Sequence, residues 1–171
     1  MIAMKSIYTL KFKRRRQGKT NYKKRLNMLK SEKSRLVIRK SLTNMYIQLI
    51  NFEPIGDKII ISGSGFDLKK LGWKHNAGNT PAAYLIGLLT GKKMIGKGMK
   101  EAVLDIGMQK STKGCRLFAA LKGVVDAGVE VPHSEEILPS EDRITGKHID
   151  MHLKNNITKN FEEVKSKILK S

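Results

Sequence analysis

Residues 35–62 read RLVIRKSLTNMYIQLINFEPIGDKIIIS. Three β-branched runs stand out in this stretch: Arg35–Lys40, Asn44–Ile50 and Lys58–Ser62. Ser/Thr/Asn punctuation separates the first two, and a turn around Pro54, Gly56 and Asp57 separates the second from the third. Links this short can close hairpins, whereas a parallel crossover needs about a dozen residues or more. The stretch therefore predicts three antiparallel strands in a meander.

Downstream, Gly63 to Asn79 reads as an irregular connection holding Trp73, His75 and the glycines Gly65, Gly72 and Gly78. Thr80 before Pro81 suits an N-cap followed by a proline at the first helical position. A helix is predicted from Ala82 to Thr90, with Gly91 interrupting or capping it and the basic GKKMIGKGMK segment trailing away. Glu101–Gly107 (EAVLDIG) is short, apolar and bounded by turn residues, so it reads as a buried strand. Cys115–Ala127 reads as a second helix, stopped by Gly128 in the left-handed C′ position. Helices and a further strand after a three-strand meander imply an α/β fold, a mixed sheet covered by helices. Past Pro132 the core signal fades into an acidic patch (Glu135, Glu136, Glu141, Asp142) and a Lys-rich tail. That tail carries a weak helical stripe at Ile157, Phe161, Val164 and Ile168. Three divisions are expected: a basic arm and helix (1–34), a mixed α/β core (35–131), and a C-terminal extension (132–171) that docks on something or stays mobile.

Upstream, the stretch Lys11 to Arg25 (KFKRRRQGKTNYKKR) has nine cations in fifteen positions and no acid. Residues 1–40 hold 15 of the 34 Lys and Arg and a single acid, Glu32, so +14 of the net +19 lies in the first quarter of the 171-residue chain. Crowded like charges repel, and a segment of this kind becomes ordered when a polyanion supplies the counter-charge. Phe12 and Tyr22 punctuate the run, and planar rings stack on unpaired bases. From Thr20, which could cap, Tyr22, Leu26 and Leu29 recur at helical spacing. They predict a short helix over Asn21–Lys30 whose apolar stripe docks on the core while its Lys/Arg face looks outward. The arm before it is expected to stay disordered until RNA is present.

Catalytic and metal chemistry find little support. Gly91–Gly98 (GKKMIGKG) ends in glycine where a P-loop needs the Ser or Thr hydroxyl for magnesium, and it follows a helix rather than a strand. Gly63-Ser64-Gly65 has Leu68 where a dinucleotide fingerprint needs its third glycine, and reads as a turn. His148 and His152 share a helical spacing, but Ile149 occupies the place of a zinc protease's glutamate. Asp105 lies in the expected buried strand, where a nuclease could place a metal ligand. Between Leu104 and Ile106, however, it suits a structural aspartate bonding a neighbouring backbone amide. Cys115 is the lone cysteine, which excludes an intrachain disulfide and a zinc ribbon, and is expected to be a small buried residue near a helix start. No apolar run reaches the roughly 18 residues of a membrane span, and MIAMKSIYTL is too short and too soon interrupted by Lys5 for a secretory signal. The simplest placement is intracellular and reduced, without membrane, cofactor, metal or small-molecule substrate.

Read in order, FKRRRQGKTNYKKRL, RLVIRKS, GWKHNAGNTPAAYLIGLLTGKK, AVLDIG, TKGCRLFAALKGVVDAGVEVPHSEEILPSEDRI and GKHI resemble one family over Phe12 to Ile149. It is the universal large-subunit ribosomal protein eighteen family, in its archaeal form. The resemblance implies a ribonuclease-H-like mixed sheet without nuclease activity. It also implies attachment of 5S ribosomal RNA to 23S ribosomal RNA in the central protuberance, beside neighbouring ribosomal proteins. By the same resemblance, RNA-binding positions are expected at Lys11, Phe12, Lys13, Arg14, Arg15, Arg16, Lys19, Thr20, Tyr22, Lys23, Lys24 and Arg25. Further positions are expected at Arg35, Arg39 and Ser41, at the Asn79-Thr80 turn, and in the loop Ser111, Thr112 and Lys113. Asn21 stands where that family commonly has an aspartate, and His75-Asn76-Ala77 is less basic than in its relatives. Two readings from other classes are a metal-dependent nuclease on the same fold, acting through Asp105, and a general basic polyanion binder.

Overall fold

A computed structural model of the chain describes residues 9–153 and 155–170. The opening eight residues of the expected arm, and with them all but Thr9 and Leu10 of the stretch read for a signal, lie outside the described residues. The predicted meander is present as β1 (Arg35–Lys40), β2 (Met45–Asn51) and β3 (Lys58–Ser64), antiparallel in sequence order. A short strand β4 (Val103–Asp105) adds to β1 in parallel, giving the mixed order β3-β2-β1-β4. Leu36, Ile38, Met45, Ile47, Leu49 and Ile61 are buried on one face of this sheet. Helices α4 (Thr80–Gly96) and α5 (Arg116–Asp126) cover that face. Edge strand β3 is screened by lysines of α4 and its C-cap, with Lys97 Nζ donating to the Ile60 carbonyl (2.9 Å) and Lys93 Nζ to the Ser62 carbonyl (3.3 Å). Charged side chains over free edge carbonyls oppose pairing with another strand.

Several expectations need correction. The connection after β3 is not irregular throughout. Gly65–Lys70 form a helix, α3, because Ser64 and Asp67 make a capping box, with the Ser64 N–H donating to Asp67 Oδ2 (3.0 Å). The cap of α4 is Asn79, whose Oδ1 accepts from the Ala82 N–H at 2.8 Å, and Thr80 is already helical. Gly91 neither interrupts nor ends α4. The helix runs on to Gly96, and residue 91 is glycine because the end of α5 comes close there: a Cβ would sit 2.5 Å from the Ala127 methyl group. The same reason places Gly87 and Gly123 at the centre of the α4–α5 crossing. The expected stop of α5 is present, with Gly128 at φ +101° after Ala127.

The segment after Pro132 holds a turn of 3-10 helix (Glu135–Ile137), α6 (Glu141–Thr145), α7 (Lys147–Leu153) and α8 (Ile157–Lys170). It docks on the body itself. The stripe Ile157, Phe161, Val164 and Ile168 is buried with Ile144 in the cluster that holds the sheet and α4. Asp150 caps α8, accepting from the Ile157 N–H (2.7 Å), the Thr158 N–H (2.9 Å) and the Thr158 hydroxyl (2.5 Å). These bonds, that of the Thr158 hydroxyl first, hold its carboxyl below the ordinary range.

Candidate nucleic-acid interface

The other face of the sheet carries Arg35, Val37 and Arg39 on β1, with Tyr46, Gln48 and Ile50 beside them on β2. Asp105 is in the same row on β4, paired with Val37. The basic N-terminal segment lies over part of this face. Within it, Lys13–Arg16 form a single helical turn, α1, where a disordered arm was expected, and Tyr22–Leu29 form α2. Gly18 at φ +63° turns the chain between them. Asn21, not Thr20, caps α2, its Oδ1 accepting from the Lys24 N–H at 3.1 Å. The Thr20 hydroxyl instead accepts from Arg14 Nε at 2.8 Å, tying α1 to the start of α2. Phe12 and Tyr22 pack on one another, ring centroids 5.3 Å apart.

Of the stripe Tyr22, Leu26 and Leu29 expected to dock α2, Tyr22 and Leu29 are half-buried and Leu26 is not. Leu26 is 57 % exposed and α2 buries no residue. Its half-buried positions are Tyr22, Arg25, Met28 and Leu29, a face rotated from the predicted one. The rotation follows from charge: Arg25 Nη2 donates to Asp57 Oδ1 at 2.8 Å, drawing a basic residue toward the body. Lys11, Lys13, Arg14, Arg15, Arg16, Lys19, Lys23 and Lys24 remain exposed.

Below Arg25 runs a continuous network. Asp57 Oδ2 accepts from Arg35 Nη2 (2.7 Å), and Arg35 Nη1 donates to Asp105 Oδ2 (3.0 Å). Asp105 Oδ1 accepts from Arg39 Nη2 (3.2 Å) and from the Gly107 N–H (2.8 Å). Arg39 Nη1 reaches the Asp105 and Ile38 carbonyls at 2.6 and 2.9 Å. Arg35 is 3 % exposed, and its Nε is enclosed with no hydrogen-bond partner among the described residues. It faces two carboxylates inside the protein, as a buried charge must. Arg39, by contrast, keeps 39 % of its side chain exposed. A cleft of about 220 Å³ lies between α2 and the sheet, with Arg14, Lys24, Arg25 and Arg39 on its walls and Met28, Val37 and Ile50 as apolar lining.

The remaining expected positions gather at the far end of β1. Ser41 closes the β1–β2 turn, its Oγ accepting from the Asn44 N–H at 2.9 Å. Gly78 lies against the Leu42 carbonyl of that turn, and its own carbonyl accepts from Arg116 Nη1. Arg116 opens α5 shortly after the exposed loop Ser111, Thr112 and Lys113. Ser41, Asn79 and this loop thus share one region, joined to the cleft through Arg39 and Gly107. Thr80 is buried (6 % exposed) and Asn79 spends its side-chain oxygen on the helix cap, so neither offers what Arg39 does, while the exposed Lys113 Nζ donates to Glu136 Oε2 at 3.2 Å. Cys115 is half-buried: burial pushes its thiol up, but bonds from the Phe118, Thr112 and Leu117 backbone outweigh this and leave it below the ordinary value.

Sequence reasoning missed two features. It treats Asp57 and Asp105 only as metal ligands or as local structure, although each stands among arginines in this face. Tyr46 (42 % exposed) and Gln48 extend the uncovered sheet beside Arg39. The alternation of polar and apolar residues along β2 was the available signal. The carboxylate oxygens of Asp105 are held by two arginines and a backbone amide. Among the described residues no group of three His, Cys, Asp or Glu side chains could hold a metal ion. No helix among them is long and apolar enough to cross a membrane.

A family model described as ribosomal large subunit proteins 60S L5 and 50S L18 matches residues 6–100 and 96–134. A protein of Caldivirga maquilingensis named large ribosomal subunit protein uL18 is 47 % identical over 98 % of this chain and 93 % of its own length. A protein of the same name from Methanothrix thermoacetophila is 47 % identical over 95 % of this chain and 96 % of its own.

Proposed function

The chain belongs to the family of large-subunit ribosomal proteins that includes 60S L5 and 50S L18, and from that premise we propose that it binds 5S ribosomal RNA and attaches it to 23S ribosomal RNA in the central protuberance. As a member it is a structural, non-enzymatic constituent of the large subunit of the cytoplasmic ribosome, among ribosomal RNA and ribosomal proteins. The observation that carries the finer reading is the exposed cationic segment Lys11–Lys24 anchored by Arg25 over a sheet face rich in arginine. Structured RNA offers phosphates, 2′-hydroxyls and splayed bases, and a row of exposed Arg and Lys matches the first of these. Arginine forks chelate phosphate oxygens bidentately.

In this reading Lys11, Lys13, Arg14, Arg15, Arg16, Lys19, Lys23 and Lys24 meet phosphates, with Phe12 and Tyr22 as the flat surface between them. Arg39, Ser41 and the Ser111–Lys113 loop form the second contact area. Arg35 and Thr80 support that surface from within the fold. Metal-dependent cleavage finds no opening at Asp105, whose oxygens are taken. Nuclease footprinting of 5S RNA with and without the full chain tests the reading. Protection of one defined helix or loop supports it. Uniform protection, equal to that of an unrelated duplex of the same length, refutes it in favour of general polyanion binding.

A further inference from the structure

Two carboxylates stand inside a face that is otherwise built for a polyanion. Each one, considered as a bare charge, repels the phosphates that the face should attract. Their placement answers this objection. The Asp105 side chain is 6 % exposed and that of Asp57 is 25 %, and both lie beneath arginines rather than beside them. Asp57 bridges Arg25 of α2 and Arg35 of β1 with one oxygen each, at 2.8 and 2.7 Å. Asp105 bridges Arg35 and Arg39 in the same manner, at 3.0 and 3.2 Å. The five residues form an unbroken chain of alternating charge, Arg25–Asp57–Arg35–Asp105–Arg39, that spans from the helix across the sheet.

We propose that Asp57 and Asp105 are positioning residues for RNA binding, which hold Arg25 and Arg39 as two fixed forks on either side of the cleft. The proposal rests on the RNA-binding reading above. Arg35 is the internal link, too enclosed to touch a ligand, and its burial between two acids keeps the forks at a constant separation. Among the described residues Arg25 engages only Nη2, and Arg39 leaves Nε and one Nη2 proton unengaged. Those donors are available to phosphate oxygens. Arginine has many rotamers, and a fork already held in place loses less freedom on binding than one free in solvent. The acids therefore strengthen recognition of one RNA shape while weakening indiscriminate attraction.

This gives an unusual sign. Asp57→Asn raises the net charge by one, yet is expected to lower affinity for 5S RNA by roughly 5- to 20-fold, the cost of ordering one or two freed arginine side chains. Affinity for an unrelated duplex of equal length is expected to hold or rise. The experiment measures both affinities by filter binding for the full chain, Asp57→Asn, Arg25→Met and the double variant, with thermal melts of each. If Asp57 acts through Arg25, Asp57→Asn has little further effect in the Arg25→Met background. Asp57 is chosen because the more buried Asp105 risks the fold itself. Unchanged or tighter 5S binding by Asp57→Asn overturns the proposal, as does additive behaviour in the cycle. Parallel loss of both affinities with a lowered melt also overturns it, since that is a structural role alone. A wild-type chain with no preference for 5S RNA sinks the RNA reading and this proposal together. A preference retained undiminished by Asp57→Asn sinks only the proposal.

Discussion

Replacing Gly123 with alanine tests whether the α4–α5 crossing is set by the absence of side chains. In a free helix this change is favourable by about 1 kcal/mol, because glycine is the poorer helix former. At position 123 a Cβ would lie 2.1 Å from the Tyr84 carbonyl oxygen and 2.8 Å from the Leu88 nitrogen. Both are backbone atoms, so no side chain can swing aside. The helices must separate, and Gly87 offers no relief, since a Cβ there would lie 2.1 Å from the Ala120 carbonyl oxygen. Overpacking a tight core costs about 1–3 kcal/mol, at the upper end where backbone must move. Set against the propensity gain, the net loss is about 2 kcal/mol, or roughly 4–8 °C in melting temperature for a domain of this size. Gly96 is the control: it closes α4 where no described residue would approach an added methyl group within 4 Å, so alanine there should leave the melt unchanged or raise stability by about 1 kcal/mol. Circular dichroism melts of the two variants decide the matter. Gly123→Ala melting at or above wild type would falsify the close-approach argument.

Replacing Arg14, Arg15 and Arg16 together by alanine should reduce the slope of log K against log salt for RNA by about 2–3, from roughly −6 to −7 if about eight phosphates are met. Because α1 buries nothing, the melting temperature should not move. Asp150→Ala should cost about 1–2 kcal/mol by removing the cap of α8. Since the folded carboxyl is held below its ordinary value of 3.8, that stabilisation is complete above pH 3.8 and disappears as the pH falls through the lowered value. Melts of wild type and variant should therefore converge only in acid. Burial, with a hydrogen bond to Asp126 Oδ2 at 2.8 Å, pushes the Tyr84 phenol well up from its ordinary 10.0. Its contribution is present below pH 10 and is lost as the pH rises toward the folded value. Alkaline absorbance should show one phenol that ionises last in the wild type and is missing from Tyr84→Phe, which should itself lose about 1 kcal/mol.

Local pattern carried the meander, the presence of a strand within 101–107 (shorter than expected, Val103–Asp105, and half-buried at Val103 and Leu104), α5 with its glycine stop, and the stripe of α8, because each depends on near neighbours in sequence. Residues whose meaning depends on distant partners were misjudged. Gly91 resembles a helix breaker until Ala127 is brought against it, 36 positions away. Leu26 resembles a core residue until Arg25 is drawn toward Asp57 and turns α2 about its axis. Arg35 and Arg39 lie four apart on one strand and look alike, yet one is enclosed between carboxylates and the other is open. Ser64 and Asp67 did carry a local sign of α3, and the glycines on either side concealed it.

The polyanion-seeking character of this protein is already complete in its residue order, since fifteen cations against one acid in the first forty positions cannot be neutralised locally. Which of those cations face outward is another matter. That depends on Asp57 and Asp105, acids supplied by the hairpin turn and by β4, 22 and 70 positions beyond Arg35. Charge content is a sum over the chain and needs no coordinates, whereas the aim of each guanidinium is set by partners that only folding brings within about 3 Å.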